Sequence, residues 1–439
     1  MAGRARRPTN ATVALAVLTL IYAFNFMDRQ ILSVLAEPIK RDLHLSDTEL
    51  GLLGGFMFAL FYTSFGVPVA WLADRTKRVG VLAGACALWS VFCALCGVAT
   101  GFSTLAMARI GVAVGEAGGV PPSYSIIADL FPKERRGRAM AIYSLGSPIG
   151  LGLGTALGAW VAATWGWRAA FFVVALPGLL LSGLLVLLVR EPVRGGFEPA
   201  GSAAVEPAPP LLVAIRDFIR NPALVATAVA GAFGGFVCYA LMAWIAAYMI
   251  RILGMTLGEV ARWLSLTLAV SLGLGIWISG WLADRFGPAD IRAYLWVPGG
   301  AMLVGLPAYL LAMAMTDWHF ALVLFAVPLG LSIFYLAPVA AVVQTLVPPA
   351  RRSTASALVL LFLNLFGLGL GPVVVGMVSD HAVPAMGGRS LVAGMYALVP
   401  MFAAAAVANF VAAGIVGRTA GNRLAGGTAA GTDRRAATR

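Results

Sequence analysis

The sequence predicts an all-α membrane protein with twelve transmembrane helices in two parallel six-helix repeats. Of its 439 residues, 60% are hydrophobic and 11% are charged, which is too little polar surface to cover a soluble protein of this size. The apolar residues form long continuous runs, as membrane helices of ~20 residues require, whereas barrel strands would be short and alternating. Several motifs also recur in the same order in both halves of the chain.

Twelve apolar runs, separated by glycine, proline or charged residues, define the predicted spans. The first run contains Asp28 and Arg29, and the fourth contains Arg109 and Glu116. A charged side chain is costly in a bilayer and usually faces the protein interior or a watery pathway, so these residues indicate a functional region. The spans are predicted at residues 12–35, 50–73, 79–99, 103–128, 139–163, 169–189, 223–249, 258–282, 293–315, 319–346, 354–378 and 390–416.

The distribution of basic residues predicts the orientation of the spans. When the N-terminus is placed inside, most of the 31 Lys and Arg residues fall in inner loops and at the chain ends. Cytoplasmic loops carry such an excess. We therefore expect a multi-pass protein of the bacterial cytoplasmic (inner) membrane with both termini in the cytoplasm. The net charge of +12 follows from this topology, and no nucleic-acid partner is expected.

Repetition within the sequence predicts that a six-helix unit is duplicated. The pentapeptide WLADR occurs at residues 71–75 and again at 281–285, and GLGLG occurs at 150–154 and again at 367–371. A transporter built from such repeats binds its substrate near the middle of the membrane, between halves that rock about the site.

The composition of the connecting segments predicts four regions. The segment between spans six and seven is rich in Pro, Gly and Ala, which is typical of a flexible linker. Apolar and charged residues alternate at helical spacing over residues 211–220, which predicts an amphipathic helix that leads into span seven or lies on the inner membrane surface. The expected regions are an N-terminal six-helix bundle at 1–190, a cytoplasmic linker at 191–221, a C-terminal six-helix bundle at 222–416 and a disordered cytoplasmic tail at 417–439.

Short motifs carry a resemblance to a known family. They are NxxDR at residues 25–29, LSD at 45–47, GEAG at 115–118 and IADLFP at 127–132. With the two six-helix halves and the Asp-Arg turns after spans two and eight, they make the chain resemble the major facilitator superfamily and, within it, the spinster-like lipid transporters. An Asp-Arg pair in the first span also occurs in organic anion:cation symporters.

The turns after spans two and eight are expected to form an inner gate. The resemblance implies the pattern Gly-x-x-x-Asp-Arg-x-Gly-Arg here, from which Ala70, Lys77 and Pro288 depart. A carboxylate in such a turn can meet the positive end of a helix from the other half, and an arginine can pair with an acid at the inner end of span four. Alternatively, the basic residues only anchor the topology. The predicted gate residues are Asp74, Arg75, Arg78, Asp129, Asp284 and Arg285.

The charged residues of spans one and four are predicted to form one buried network. Arg109 and Glu116 share a helix face because they are nearly two turns apart. A buried carboxylate beside an arginine can be tuned for proton exchange, so Glu116 is the predicted proton carrier and Asp28 its structural partner or a second carrier. Alternatively, the charges merely hold two helices together. The predicted substrate contacts are Arg29, Arg109, Asn25 and Tyr22.

The sequence therefore predicts a proton-coupled secondary transporter of amphipathic or lipid-like organic anions, such as lysolipids, that works by alternating access. A small organic anion:proton symporter and a multidrug exporter are the alternatives, and a membrane receptor or enzyme is less favoured. An enzyme is not expected because the three His lie near span ends and no nucleophile motif or nucleotide loop is present. We expect a monomer that uses the proton gradient and needs no metal or cofactor.

Overall fold

The computed structural model describes residues 10–194, 211–347 and 352–436. Every regular element within these ranges is a helix, so the predicted all-α fold is confirmed. Ten of the described helical segments are long and apolar enough to cross a membrane. The last of them, Ala355–Thr419, is divided by a turn at Gly387–Arg389, and a further interrupted helix lies at residues 102–130. The described helices thus account for the twelve predicted spans.

The spanning helices of the first half are numbered α1 to α6. The fourth is interrupted at residues 117–119, where its two segments meet. The helices are α1 Ala11–Val34, α2 Asp47–Arg75, α3 Arg78–Cys96, α4 Phe102–Glu116 with Val120–Leu130, α5 Arg135–Trp165 and α6 Trp167–Leu188.

The spanning helices of the second half are numbered α7 to α12. A short helix, Leu211–Arg220, precedes them. The helices are α7 Pro222–Arg251, α8 Leu257–Phe286, α9 Ala293–Ala314, α10 Trp318–Leu346, α11 at residues 352–386 and α12 Leu398–Ala436.

The duplicated unit is visible at the starts of α2 and α8. Ser46 and Glu49 exchange side chain and backbone hydrogen bonds in a capping box, and Thr256 and Glu259 do the same before α8. Such a box satisfies backbone N–H groups that a helix leaves free at its start. Each helix then continues through one π-helical turn, so both copies of the repeat use the same two devices at the same place.

Close packing of α1 against α5 brings the charged part of α1 into the interior. A Cβ atom added at Gly154 would lie 2.8 Å from the Met27 carbonyl oxygen, and one added at Gly146 would lie 2.8 Å from that of Thr19. Glycines at these positions let two helix backbones approach closely. The face of α1 that carries Asp28 is consequently buried.

The linker and the C-terminal segment are the two predicted regions outside the spans. Residues 195–210 of the predicted linker fall outside the described residues. The final helix continues to Ala436, through the segment for which the sequence predicts a disordered tail. Alanine is frequent in that segment and has the highest helix propensity.

The helices group into two compact units that do not coincide with the sequence halves. One unit comprises Met1–Ala204, Leu241–Val270 and Pro372–Tyr396, and the other comprises Val205–Ala240, Ser271–Gly371 and Ala397–Arg439. The first unit thus contains α1 to α6 together with one end of α7, α8 and α11. Both charged clusters described below lie within it.

Candidate functional site

The structure brings together the four charged residues of α1 and α4, here called the interior cluster: Asp28, Arg29, Arg109 and Glu116. Arg29 Nε donates a hydrogen bond to Glu116 Oε2 at 2.5 Å, and Arg109 Nη1 lies 3.8 Å from Asp28 Oδ1. Each arginine therefore pairs with the acid of the other helix. The 3.8 Å separation is too long for a direct hydrogen bond, so the Asp28–Arg109 pair is the looser of the two.

Burial distinguishes Arg29 from the other members of the interior cluster. Its side chain is 17% exposed, whereas that of Glu116 is 0% exposed and those of Arg109 and Asp28 are each 2% exposed. A group that meets a substrate must be reached from the aqueous pathway. The geometry therefore favours Arg29 over Arg109 as the cation that a substrate would contact.

Aromatic rings surround the Arg29 guanidinium. Its central carbon lies 4.6 Å from the ring centre of Tyr62, 4.9 Å from that of Phe58 and 5.2 Å from that of Phe26. Cations are attracted to aromatic faces at these distances. The sequence did not single out Phe58 and Tyr62, because their four-residue spacing on α2 is common among packing residues.

The interior cluster is incompletely hydrogen bonded. Arg109 Nε and Nη1 are buried, and neither donates a hydrogen bond to any residue within the described ranges. Both Asp28 carboxylate oxygens and Glu116 Oε1 are likewise buried and accept no hydrogen bond within those ranges. Buried polar groups are usually satisfied, and exceptions need an explanation. One explanation is that the cluster is a site that binds and releases a proton or an anion, since such a site must leave some groups without a partner.

Asn25 and Tyr22 occupy different surroundings. Asn25 is buried, and its Nδ2 lies 4.0 Å from the position of a Cβ atom added at Gly119, in the interruption of α4. The Tyr22 ring stacks on Tyr143 of α5 with 4.4 Å between ring centres. Asn25 thus lies beside the α4 segment that carries Glu116, and Tyr22 belongs to an aromatic contact between α1 and α5.

A second charged group, here called the outer cluster, lies at the opposite end of α2 from the WLADR turn. Its centre is Asp47, whose side chain is fully buried. Arg251 donates to both Asp47 carboxylate oxygens, at 2.7 Å and 2.9 Å, and Lys40 and Ser379 each donate to the same carboxylate at 2.5 Å. The cluster comprises Glu37, Lys40, Arg41, Asp47, Arg251, Ser379 and Asp380.

The rest of the outer cluster completes the network. Arg251 Nε also donates to Glu37 at 2.8 Å. The Asp380 carboxylate accepts from the backbone N–H groups of Asp47 and Thr48 at 2.9 Å and 2.7 Å, so it caps the N-terminus of α2, where the helix dipole favours an anion. The outer cluster therefore joins the segment after α1 and the start of α2 to the ends of α7 and α11.

Sequence reasoning missed the outer cluster as a unit. Lys40 and Arg251 lie near the ends of predicted spans, and Asp47 is part of the LSD motif. Charged residues near span ends are ordinary, and Asp47 and Arg251 are 204 positions apart. One signal could have revealed the cluster: several acidic and basic residues lie on the predicted outer side, where the topology places few charges.

The predicted inner-gate residues are only partly brought together. Arg78 is buried and pairs with Asp129 and, at 2.8 Å, with Glu191. These residues all belong to the first half, so this network ties α3, α4 and the end of α6 to one another. Arg75 stacks on the Trp71 ring at 4.0 Å. Four predicted gate residues are exposed and form no ion pair with any residue that the structure describes, namely Asp74, Arg75, Asp284 and Arg285.

The chain matches a known family model over most of its length. The model described as "Major Facilitator Superfamily" covers residues 18–372. The chain belongs to the major facilitator superfamily. Members of this superfamily are multi-pass transporters, so the protein is a transporter and not an enzyme, as the sequence predicts.

Two relatives within the superfamily indicate which of its members this chain resembles. An "MFS-type efflux pump" of Mycolicibacterium smegmatis is 36% identical over 384 residues, which cover 88% of each chain. "Protein spinster homolog 1" of Mus musculus is 29% identical over 401 residues, or 85% of this chain and 74% of the mouse protein. The similarity extends to both an efflux pump and the spinster transporters.

A solved structure supports the spinster-like assignment. A bacterial homologue of the human lysosomal transporter spinster, crystallised in an inward-facing and unoccupied conformation, is 30% identical and superimposes with a TM-score of 0.85. The match covers 94% of this chain and 98% of that one. The major facilitator described here is thus spinster-like in sequence and in fold, which confirms the family resemblance of its motifs.

Proposed function

We propose that this major facilitator is a proton-coupled transporter of amphipathic organic anions, such as lysolipids, in the bacterial inner membrane, with both termini in the cytoplasm. The observation that carries the proposal is the interior cluster, in which the buried Glu116 carboxylate holds the accessible Arg29 guanidinium at 2.5 Å. The likeness to spinster transporters supports the same class of activity.

The charge balance of the interior cluster couples a proton to an anion. Two acids and two arginines are neutral together, so a proton on Glu116 leaves one uncompensated positive charge. Protonation also removes the carboxylate that holds Arg29. The freed guanidinium then attracts an anionic head group, and the bound anion in turn stabilises the protonated cluster. Proton and anion therefore bind together more favourably than either alone.

The surroundings of Arg29 favour an amphipathic substrate. A head group at the guanidinium would lie beside the rings of Phe26, Phe58 and Tyr62, which offer apolar surface to a chain. Sites of this kind are mostly apolar with a few polar groups that fix orientation. In this proposal Arg29 contacts the substrate, whereas the buried Arg109 holds Asp28 and acts as a positioning residue.

The outer cluster is proposed to act as the outer gate. It ties ends of helices from both sequence halves through buried, fully paired charges. Alternating access requires such contacts to form on one side while those on the other side are open.

Multidrug export is the second candidate function. The similarity to an efflux pump of Mycolicibacterium smegmatis favours it. The two functions differ in the charge of the substrate, because Arg29 suits anions and a typical cationic drug would need a free carboxylate. A thermal-shift screen of the purified protein across lysolipids, small acids and cationic drugs separates them: stabilisation by anionic lysolipids supports the proposal, and stabilisation by cations alone supports drug export.

Transport measurements with Glu116→Gln test the coupling. Protein reconstituted in proteoliposomes should move a labelled lysophospholipid faster under a proton gradient, and Glu116→Gln should lose this stimulation while still binding the lipid. Glu49→Gln is the matched control, because Glu49 lies in the capping box at the start of α2, outside the interior cluster. Equal stimulation of wild type and Glu116→Gln would remove Glu116 from the proton pathway.

A further inference from the structure

Each half of the chain carries an apolar groove outside the clusters described above. The first groove lies between α2 and α3, with α4 as its floor, and has a volume of about 590 Å³. The second lies between α8 and α9, with α10 as its floor, and has a volume of about 510 Å³. The WLADR repeats supply equivalent wall residues, Leu72 to the first groove and Leu282 to the second. The grooves are therefore copies of one feature.

The first groove has the dimensions of a lipid chain. It follows one face of α3 from Lys77 to Leu88, which is ~16 Å at 1.5 Å per residue. One leaflet of a bilayer has a hydrocarbon depth of ~15 Å, half of the ~30 Å core. The exposed Gly84 keeps the middle of this face open. An acyl chain that runs parallel to α3 fits the groove.

The mouth of the first groove carries an excess of positive charge. Lys77 lines the groove, is exposed, and forms no ion pair with any residue in the described part of the chain. Arg75 lies beside it on the Trp71 ring, and Arg194 donates to backbone carbonyls at the end of α2. Asp74 is the one acid of this turn. The predicted topology places this end at the cytoplasmic surface, where anionic lipid head groups lie.

The mouth of the second groove is electrically balanced. The charged residue that lines this mouth is an acid, Asp290. Its carboxylate lies 3.8 Å from Arg292. Asp284 and Arg285 of the adjacent turn also offset each other in charge. The second groove thus has a similar volume and is also lined mostly by apolar residues, but no lysine lies among its described lining residues.

We propose that the first groove binds an anionic phospholipid of the cytoplasmic leaflet, with one acyl chain along α3 and the phosphate at Lys77. Basic pockets between helices on the cytoplasmic side suit anionic lipid head groups. The floor residue Gly115 directly precedes Glu116, so this lipid packs against the back of the α4 segment that carries the interior cluster. The site is separate from the proposed substrate contacts and does not depend on the transported substrate.

Native mass spectrometry of the purified full-length protein tests the proposal. The protein is titrated with phosphatidylglycerol and, separately, with phosphatidylethanolamine of the same chain length. Gly84→Leu fills the first groove, and Gly300→Leu is the matched control in the second. A Cβ atom added at either glycine meets no atom within 4 Å, so both variants should fold. Lys77→Gln removes the charge, with Arg285→Gln as the control at the repeated turn.

The wild type should bind phosphatidylglycerol in preference to phosphatidylethanolamine. Lys77→Gln should weaken phosphatidylglycerol binding about fivefold, the effect of one lysine near a membrane surface, and Gly84→Leu should remove one bound lipid. Gly300→Leu and Arg285→Gln should bind as the wild type does. Equal loss in Gly84→Leu and Gly300→Leu, unchanged binding in Gly84→Leu, or equal binding of the two lipids by the wild type would overturn the proposal.

Discussion

The outer cluster and the interior cluster are both built from acids and bases that balance in charge, yet they differ in how completely they are paired. Asp47 in the outer cluster accepts four hydrogen bonds, from Lys40, Ser379 and both terminal nitrogens of Arg251. In the interior cluster Arg29 holds Glu116 closely, while Arg109 and Asp28 remain 3.8 Å apart. The first arrangement suits holding a conformation, and the second suits exchanging a ligand.

This difference follows from the cost of burying charge. A buried ion pair stabilises a protein only when its geometry is good and its remaining hydrogen bonds are made. The outer cluster meets that condition. The interior cluster does not, because Asp28, Arg109 and Glu116 keep buried polar atoms without a hydrogen-bond partner in the described chain. Its buried carboxylates are therefore available to a proton.

Removal of Arg251 should have the largest effect on stability. Arg251→Met leaves Asp47 and Glu37 buried without their main partner, and breaking a buried pair in this way costs about 3–5 kcal/mol. We expect a clear fall in the thermal unfolding temperature in detergent. We also expect greater labelling of cysteines introduced near the outer ends of α1 and α7.

Two further variants sharpen this prediction. Arg262→Met removes an exposed arginine and should leave unfolding unchanged. Glu116→Gln should destabilise less than Arg251→Met, because the released Arg29 is partly exposed and keeps its aromatic contacts. Equal losses in Arg251→Met and Glu116→Gln would show that the two clusters do not differ as described.

Removal of the Asp380 carboxylate should have a moderate effect. Asp380→Asn weakens the cap on the start of α2, which accepts from the backbone of Asp47 and Thr48. Loss of a helix cap costs about 0.5–2 kcal/mol. The unfolding temperature of Asp380→Asn should fall by more than that of Arg262→Met and by less than that of Arg251→Met. A decrease as large as that of Arg251→Met would mean that Asp380 supports the outer cluster by more than capping.

The fold and the members of the interior cluster could be predicted from the sequence, whereas the pairing of charges within the cluster could not. Hydropathy and the repeated WLADR and GLGLG motifs predict the fold, because a membrane imposes length and composition on each span. Asp28, Arg29, Arg109 and Glu116 were identifiable because charge is conspicuous in an apolar run. Which arginine meets which acid was not predictable, since that depends on how α1 and α4 are rotated against each other.

Other features gave no distinctive signal in the sequence. Phe58 and Tyr62 look like ordinary packing residues until Arg29 is seen beside them. The ions of the outer cluster lie near span ends, where charged side chains are common. The helix up to Ala436 runs through a segment whose glycines and arginines suggested disorder.

The smallest expected effect concerns an exposed ion pair near the outer cluster. Arg168 donates a hydrogen bond to Asp42, which holds the pKa of that carboxyl below its usual value of 3.8. The ionised form is thus favoured by folding, so the contribution is present at neutral pH and is lost as the pH falls below about 4. Asp42→Asn should lower the unfolding temperature slightly at pH 7 and by a smaller amount at pH 3. A larger difference at pH 3 would contradict the assignment.

Proton uptake on anion binding is the most direct test of the interior cluster. Purified protein in weakly buffered detergent is mixed with an anionic lysophospholipid, and a pH-indicating dye reports protons taken from solution. The wild type should take up protons as the lipid binds, while Glu116→Gln should bind the lipid without uptake. Proton uptake by Glu116→Gln equal to that of the wild type would contradict the coupling between Glu116 and Arg29 that the account rests on.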